Sequence, residues 1–184
     1  MQHAATVKLG ALDLPNRPLV WKLAAVFLGT ILLTISSYIE VPMVPVPITM
    51  QTFAVTVIGA VYGWRLGALT VLAWLAEGAA GLPVLAGGAA GIQHFFGTTG
   101  GYLLAFPIAA AATGWLVQRG WNGSRLPLAF AAMLLGNLLC LTIGTLWLAV
   151  MIGAEPALIH GFLPFILGGV LKSGLGAAVL RLTP

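Results

Sequence analysis

The sequence predicts an all-α integral membrane protein of six transmembrane helices with both termini in the cytoplasm. Of its 184 residues, 60% are hydrophobic and 7% charged, against about 25% charged in soluble domains. That leaves too little polar surface to cover a water-soluble globule. The apolar residues run continuously over lengths near the ~20 residues a bilayer core demands. They lack the two-residue alternation of an outer-membrane strand, so helices are the way this backbone satisfies itself in lipid. Six spans also place Lys8, Arg17, Lys22, Arg65, Arg119, Arg125 and Arg181 on one side, with no lysine or arginine on the other. Glu40, Glu77 and Glu155 rim that second side. Cytoplasmic loops carry the basic excess, and a count of five or seven spans would scatter it.

Residues 1–18 are polar and mixed, without the continuous apolar core of a signal peptide. They read as a cytoplasmic N-terminal segment with a short interfacial helix, and residues 19–184 as one membrane domain. Leu19–Tyr38 is the first span. Its Ala25 and Gly29 lie four apart, a spacing that lets another helix approach closely, whether from the same chain or a partner. Glu40–Thr49, EVPMVPVPIT, has three prolines in six residues and forms an ordered, extended loop rather than a helix. Met50–Tyr62 is the second span, Gly63–Arg65 a turn, and Leu66–Gly81 the third span. Leu82–Thr99 is too apolar for a free loop and too glycine-rich for a good helix. With six glycines from Gly87 to Gly101, it reads as a lid or re-entrant piece, tolerated where it lines a cavity. Gly101–Val117 is the fourth span and Gln118–Arg125 a polar turn. Leu126–Ile152, the fifth span, is longer than a bilayer needs, so it tilts or overhangs, and it buries Asn137. Gly153–His160 is a short loop and Gly161–Leu182 the sixth span.

The sixth span carries Lys172 in its middle. A lysine at membrane depth costs about 3 kcal/mol on insertion scales, and no acidic residue lies near it in sequence. Its partner is therefore on another helix or is a ligand. The six-span arrangement gathers the proline loop, the glycine-rich stretch and the Glu155 loop over it, and a small anionic solute is the natural occupant. Other chemistries find no support. The pI is near 9.7, yet the basic residues are spread singly, without the stripe that nucleic acid requires. Gly168–Ser173, GGVLKS, lacks the glycine immediately before lysine that a phosphate-binding loop carries, so ATP hydrolysis has to come from elsewhere. His3, His94 and His160 lack metal-ligand spacing, and Cys140 in an apolar run is an inert thiol. No cofactor, metal or catalytic nucleophile is expected.

Several short segments carry a family resemblance. They are Val46-Pro47-Ile48-Thr49-Met50-Gln51-Thr52, Glu77-Gly78-Ala79-Ala80-Gly81-Leu82-Pro83-Val84, Thr99-Gly100-Gly101-Tyr102, Gly136-Asn137, and Pro164-Phe165 followed by Lys172. In this order, from about residue 19 to the C-terminus, the chain resembles the BioY family, the biotin-specific substrate-binding components of energy-coupling factor transporters. Three positions depart from the family pattern: Thr98 replaces a proline, Gly169 an aspartate and Leu141 a tyrosine.

The resemblance implies high-affinity biotin uptake across the bacterial cytoplasmic membrane by a multi-pass component of the transporter. Its partners would be a transmembrane coupling subunit, two ATP-hydrolysing subunits and membrane lipid. Some family members work as homo-oligomers without a dedicated energising module. Ala25 and Gly29 would face the coupling subunit. Lys172 would be the main polar anchor, for either the carboxylate or the ureido oxygen of biotin. Asn137 and Gln51, which can both donate and accept, suit the ureido group. Thr52 and Thr99 join this set, Gly87, Gly88, Gly100 and Gly101 would offer backbone groups and room, and Tyr102 would close the pocket. The alternatives are a binding component for another vitamin, or a small membrane-embedded enzyme or assembly factor using the Lys172 pocket.

Overall fold

The computed structural model describes residues 17–182. Six helices make up the bundle: α1 (Leu19–Tyr38), α2 (Gln51–Tyr62), α3 (Trp64–Ala79), α4 (Gly100–Gln118), α5 (Leu126–Ile152) and α6 (Ala154–Leu182). The expected N-terminal segment falls, up to residue 16, outside the described residues. The proline loop between α1 and α2 closes on a two-stranded antiparallel ribbon, β1 (Glu40–Val41) and β2 (Ile48–Thr49), with Glu40 opposite Thr49. Between α3 and α4 the glycine-rich stretch forms two 3-10 turns, Ala86–Gly88 and Ile92–Phe95. α4 is the central element and packs against α2, α3 and α5.

The expected second and third spans are helical but short. α2 has 12 residues and α3 has 16, about 18 and 24 Å at 1.5 Å per residue, against a hydrocarbon core of about 30 Å. Only α1, α4, α5 and α6, among the described residues, are long and apolar enough to cross a membrane. For α2, burial explains the difference. Every residue from Ala54 to Ala60 is buried, so α2 is apolar all round because protein surrounds it, as in any core helix. Gly63, at φ 80°, turns the chain directly from α2 into α3, a conformation open to glycine.

One further expectation changes. The Gly153–His160 loop is helical from Ala154 onward and joins the sixth helix through a π turn at Leu158–Phe162. Pro156 does not prevent this, because a proline in the first turn removes an N–H that has no intrahelical acceptor. Ala25 and Gly29 face inward. Both are buried, and a β-carbon at Gly29 would lie 3.1 Å from the Tyr62 ring and closer still to Thr70. This small-residue face of α1 is thus filled by α2 and α3 of the same chain.

The basic residues and the carboxylates sort to opposite ends of the bundle. Gly114 of α4 abuts Gly63 and Trp64, and Gly123 abuts Leu180 and Arg181. These contacts bring the α2–α3 turn, the α4–α5 turn and the end of α6 together, and with them Arg65, Arg119, Arg125 and Arg181. Arg65 stacks over Trp64 at 4.8 Å and Arg119 over Trp115 at 4.0 Å, as cationic and aromatic anchors do at a membrane interface. At the other end, the buried Ser37 hydroxyl of α1 donates to the Val84 carbonyl at 2.7 Å. That end holds Glu40, Glu77 and Glu155, so Arg17 and Lys22 at the start of α1 join the basic end.

α2, α3 and α4 cross through glycines. A β-carbon at Gly67 would sit 2.8 Å from the Gly59 Cα, and one at Gly59 would meet the Ala110 carbonyl of α4. Backbone cannot yield as a side chain can, so overpacking here costs at the upper end of about 1–3 kcal/mol. Gly59→Ala is expected to lower the thermal midpoint in detergent. Gly174→Ala, on an exposed helical surface with nothing within 4 Å, should leave it unchanged or raise it, because alanine favours helix by about 1 kcal/mol. Equal midpoints for the two variants would refute this packing.

Candidate functional site

A cavity of about 510 Å³ opens between the loop-bearing ends of α2, α4, α5 and α6, within the size range of small-molecule sites. The proline loop supplies Pro45, Val46, Pro47 and Thr49 to its wall, and the glycine-rich stretch supplies Leu85, Ala86, Ala89, Gln93, His94 and Gly97–Thr99. The waist is apolar and aromatic, formed by Leu103, Phe106, Leu134, Leu138, Leu141, Phe165 and Ile166. No aspartate or glutamate is among the lining residues.

The side chains that carry chemistry reach the cavity from three helices. Lys172 lies ten residues along α6 from Phe162 at the loop end, about 15 Å of helix, and both residues line the cavity. Its Nζ donates to Thr52 Oγ1 at 3.3 Å, its only hydrogen bond among the described residues. Thr52 sits on the first turn of α2, beside Gln51. Thr49 Oγ1 donates to Gln51 Oε1 at 2.9 Å, while Gln51 Nε2, in a side chain only 5% exposed, has no partner among the described residues. Asn137 of α5 donates from Nδ2 to the Met133 carbonyl at 3.0 Å and to Ser173 Oγ at 3.2 Å. An ammonium and an unpaired amide donor thus line a cavity without carboxylates. Leaving such groups buried and unpaired costs about 1–3 kcal/mol each, more for the charged one. A ligand carrying oxygen acceptors removes that cost.

The walls are tied in place. Tyr102 donates from its hydroxyl to the Gly161 carbonyl at 2.8 Å and stacks with Phe165, ring centres 6.1 Å apart. Thr98 Oγ1 donates to the Pro45 carbonyl at 3.0 Å, joining the two loops. Trp147 Nε1 donates to the Gly97 carbonyl at 3.0 Å and holds the glycine-rich stretch on α5.

Of the residues singled out from the sequence, Lys172, Asn137, Gln51, Thr52, Thr99 and Tyr102 meet at this one cavity. Gly87 and Gly88 do not line it. They have φ 62° and 78° and turn the chain against Glu40 and Tyr38. Gly100 and Gly101 do not line it either, because they admit the Phe95 carbonyl and the Trp147 side chain against the start of α4. The Glu155 turn also stays outside, and α6 lines the cavity from Phe162 onward. The three positions that depart from the family pattern, Thr98, Leu141 and Gly169, all line the cavity. Sequence reading did not select Gln93, Phe106 or Phe165 for the site. The proline and glycine loops beside them were the available signal.

Comparison with known proteins agrees with this geometry. A sequence model of the BioY family matches residues 4–183. A protein named "Probable biotin transporter BioY" from Pyrococcus horikoshii is 38% identical over 157 residues, covering 85% of this chain and 91% of that one. "Biotin transporter BioY2" from Lactococcus lactis subsp. cremoris is 34% identical over 168 residues, covering 88% and 91%. Among solved structures, the S-component for biotin from an ECF-type ABC transporter superposes with a TM-score of 0.78 at 27% identity, covering 88% of this chain and 89% of that one. The bundle is therefore an S-component fold. With all but the first three residues and the last one matched, the chain belongs to the BioY family.

Proposed function

We propose that this multi-pass membrane protein is the biotin-binding component of an energy-coupling factor transporter, a transport subunit and not an enzyme. The observation that carries the reading is the cavity itself. Its wall combines an ammonium and two amide side chains, polar residues from both loops, and an apolar and aromatic surface. Biotin has the complementary plan: a ureido ring and a carboxylate separated by a thioether ring and an alkyl chain. In this reading residues 19–184 are the substrate-binding domain. Lys172 and Thr52 provide the charged anchor, Gln51 and Asn137 meet polar ligand atoms, Thr99 sits at the loop end, and Tyr102 fixes the wall. Gly87, Gly88, Gly100 and Gly101 act through loop shape rather than by touching the ligand. Ordering of the two loops over the ligand is the lid step.

With no nucleotide-binding loop in the sequence, the energy would come from a coupling subunit with two ATP-hydrolysing subunits; the alternative is a homo-oligomer that works without a dedicated energising module. Ala25 and Gly29 would reach such a partner only if α1 moved away from α2 and α3. The sorted charges support a cytoplasmic location for the basic end and both termini, in a bacterial inner membrane. α2 and α3 then complete the six crossings as a helical hairpin.

Two experiments test this reading. Purified protein should bind labelled biotin saturably, and unlabelled biotin should displace it while thiamin and riboflavin do not. Displacement by another vitamin at lower concentration than biotin would reassign the substrate. A green fluorescent protein fused after Pro184 should fluoresce, and alkaline phosphatase fused there should stay inactive. The reverse pattern would invert the topology.

A further inference from the structure

The hydrogen bonds around Asn137 run in one direction only. The Gly169 carbonyl can only accept, and Ser173 Oγ donates to it at 2.6 Å. With its proton committed, Ser173 faces Asn137 as an acceptor, and Asn137 Nδ2 donates to it at 3.2 Å. The second Nδ2 hydrogen goes to the Met133 carbonyl at 3.0 Å, another group that can only accept. Both amide hydrogens are thereby used. Ser173 is fully buried, so water is not available to its hydroxyl as a substitute partner. Asn137 Oδ1 has no protein partner among the described residues, and Asn137 lines the cavity.

We infer that Ser173 is a positioning residue that fixes the polarity of Asn137, so that the cavity presents an acceptor there and selects a ligand N–H. This rests on the biotin reading: the ureido nitrogens are the hydrogen-bond donors of biotin, and a carboxylate at Asn137 would set oxygen against oxygen. Lys172 and Gln51 are the complementary donors of the same cavity. The relay crosses from α5 to α6 and ends on the Gly169 carbonyl, one turn before Ser173, so it is built from backbone geometry rather than from a mobile surface group.

The test uses biotin, its two ureido N-methyl derivatives and the full-length protein. Wild type should prefer biotin by about tenfold or more over the derivative methylated at the nitrogen facing Asn137, the worth of one lost hydrogen bond with its partner left unpaired. In Ser173→Ala one Nδ2 hydrogen loses its acceptor and the amide is free to turn toward the cavity. Biotin affinity should then fall about tenfold and the preference over that derivative should shrink toward unity. A variant that weakens biotin and both derivatives by the same factor, or weakens none, would overturn the proposal. A second measurement needs neither variant nor ligand. In protein labelled with 15N-asparagine, where the other asparagines are Asn16 and Asn122, both Asn137 side-chain amide protons should exchange slowly with solvent. Fast exchange of either proton would overturn the relay. Slow exchange in a protein that binds no biotin would leave the relay standing and refute the biotin reading instead.

Discussion

An ammonium held within an apolar helix bundle is the constraint on which the rest of this structure depends. Lys172 sits on a helix whose exposed neighbours, Leu171 and Leu175, are apolar, and among the described residues its one hydrogen bond goes to a threonine hydroxyl. A neutral hydroxyl cannot offset a charge at membrane depth. The arrangement becomes favourable when a ligand oxygen enters, and the apolar waist then strengthens the contact by excluding water. Binding energy is in this sense stored in the unliganded fold as an unmet electrostatic need.

The bundle places that need at the end of a short buried helix. α2 delivers Gln51 and Thr52 to the cavity because its opposite end is clamped at the Gly59, Gly67 and Gly114 crossings. The two loops that cover the cavity are tied to rigid elements, one through Trp147 and one to its neighbour through Thr98. The Ser37 hydroxyl joins the end of α1 to the same glycine-rich stretch. Any movement of α1 therefore reaches the cavity wall through Val84 and Leu85. The Tyr38 hydroxyl adds a second tie, donating to the Pro83 carbonyl at 2.7 Å, and loss of either hydrogen bond would cost about 1 kcal/mol.

Much of this was legible in the sequence, for physical reasons. α1 and α5 begin and end at the expected residues because polar or proline-bearing segments flank long lipid-facing runs. Lys172, Asn137, Gln51 and Thr52 stood out because polar side chains in apolar helices demand partners, and these four do share a cavity. Hydropathy could not tell a helix surrounded by lipid from one surrounded by protein, so α2 read as an ordinary span; α3 keeps an apolar outer face at Leu69 and Leu72 and is simply short. Glycine carries a similar ambiguity. At Gly100 and Gly101 it admits a neighbouring carbonyl and an indole, and at Gly29 it admits Thr70. Ser173 gave no signal at all, since a serine in an apolar helix commonly bonds its own backbone. Its meaning appears only when Asn137 is brought against it from another helix.

The most direct test of the account is titration calorimetry of biotin into detergent-purified wild type and Lys172→Ala. The charge-assisted contact at Lys172 is worth about 1.5–3 kcal/mol, so the variant should bind roughly 10- to 150-fold more weakly, with unchanged thermal stability or a small gain from removing an uncompensated charge. Equal affinity in a folded Lys172→Ala protein would contradict the account, because the cavity would then hold its ligand without the one charge around which it is organised.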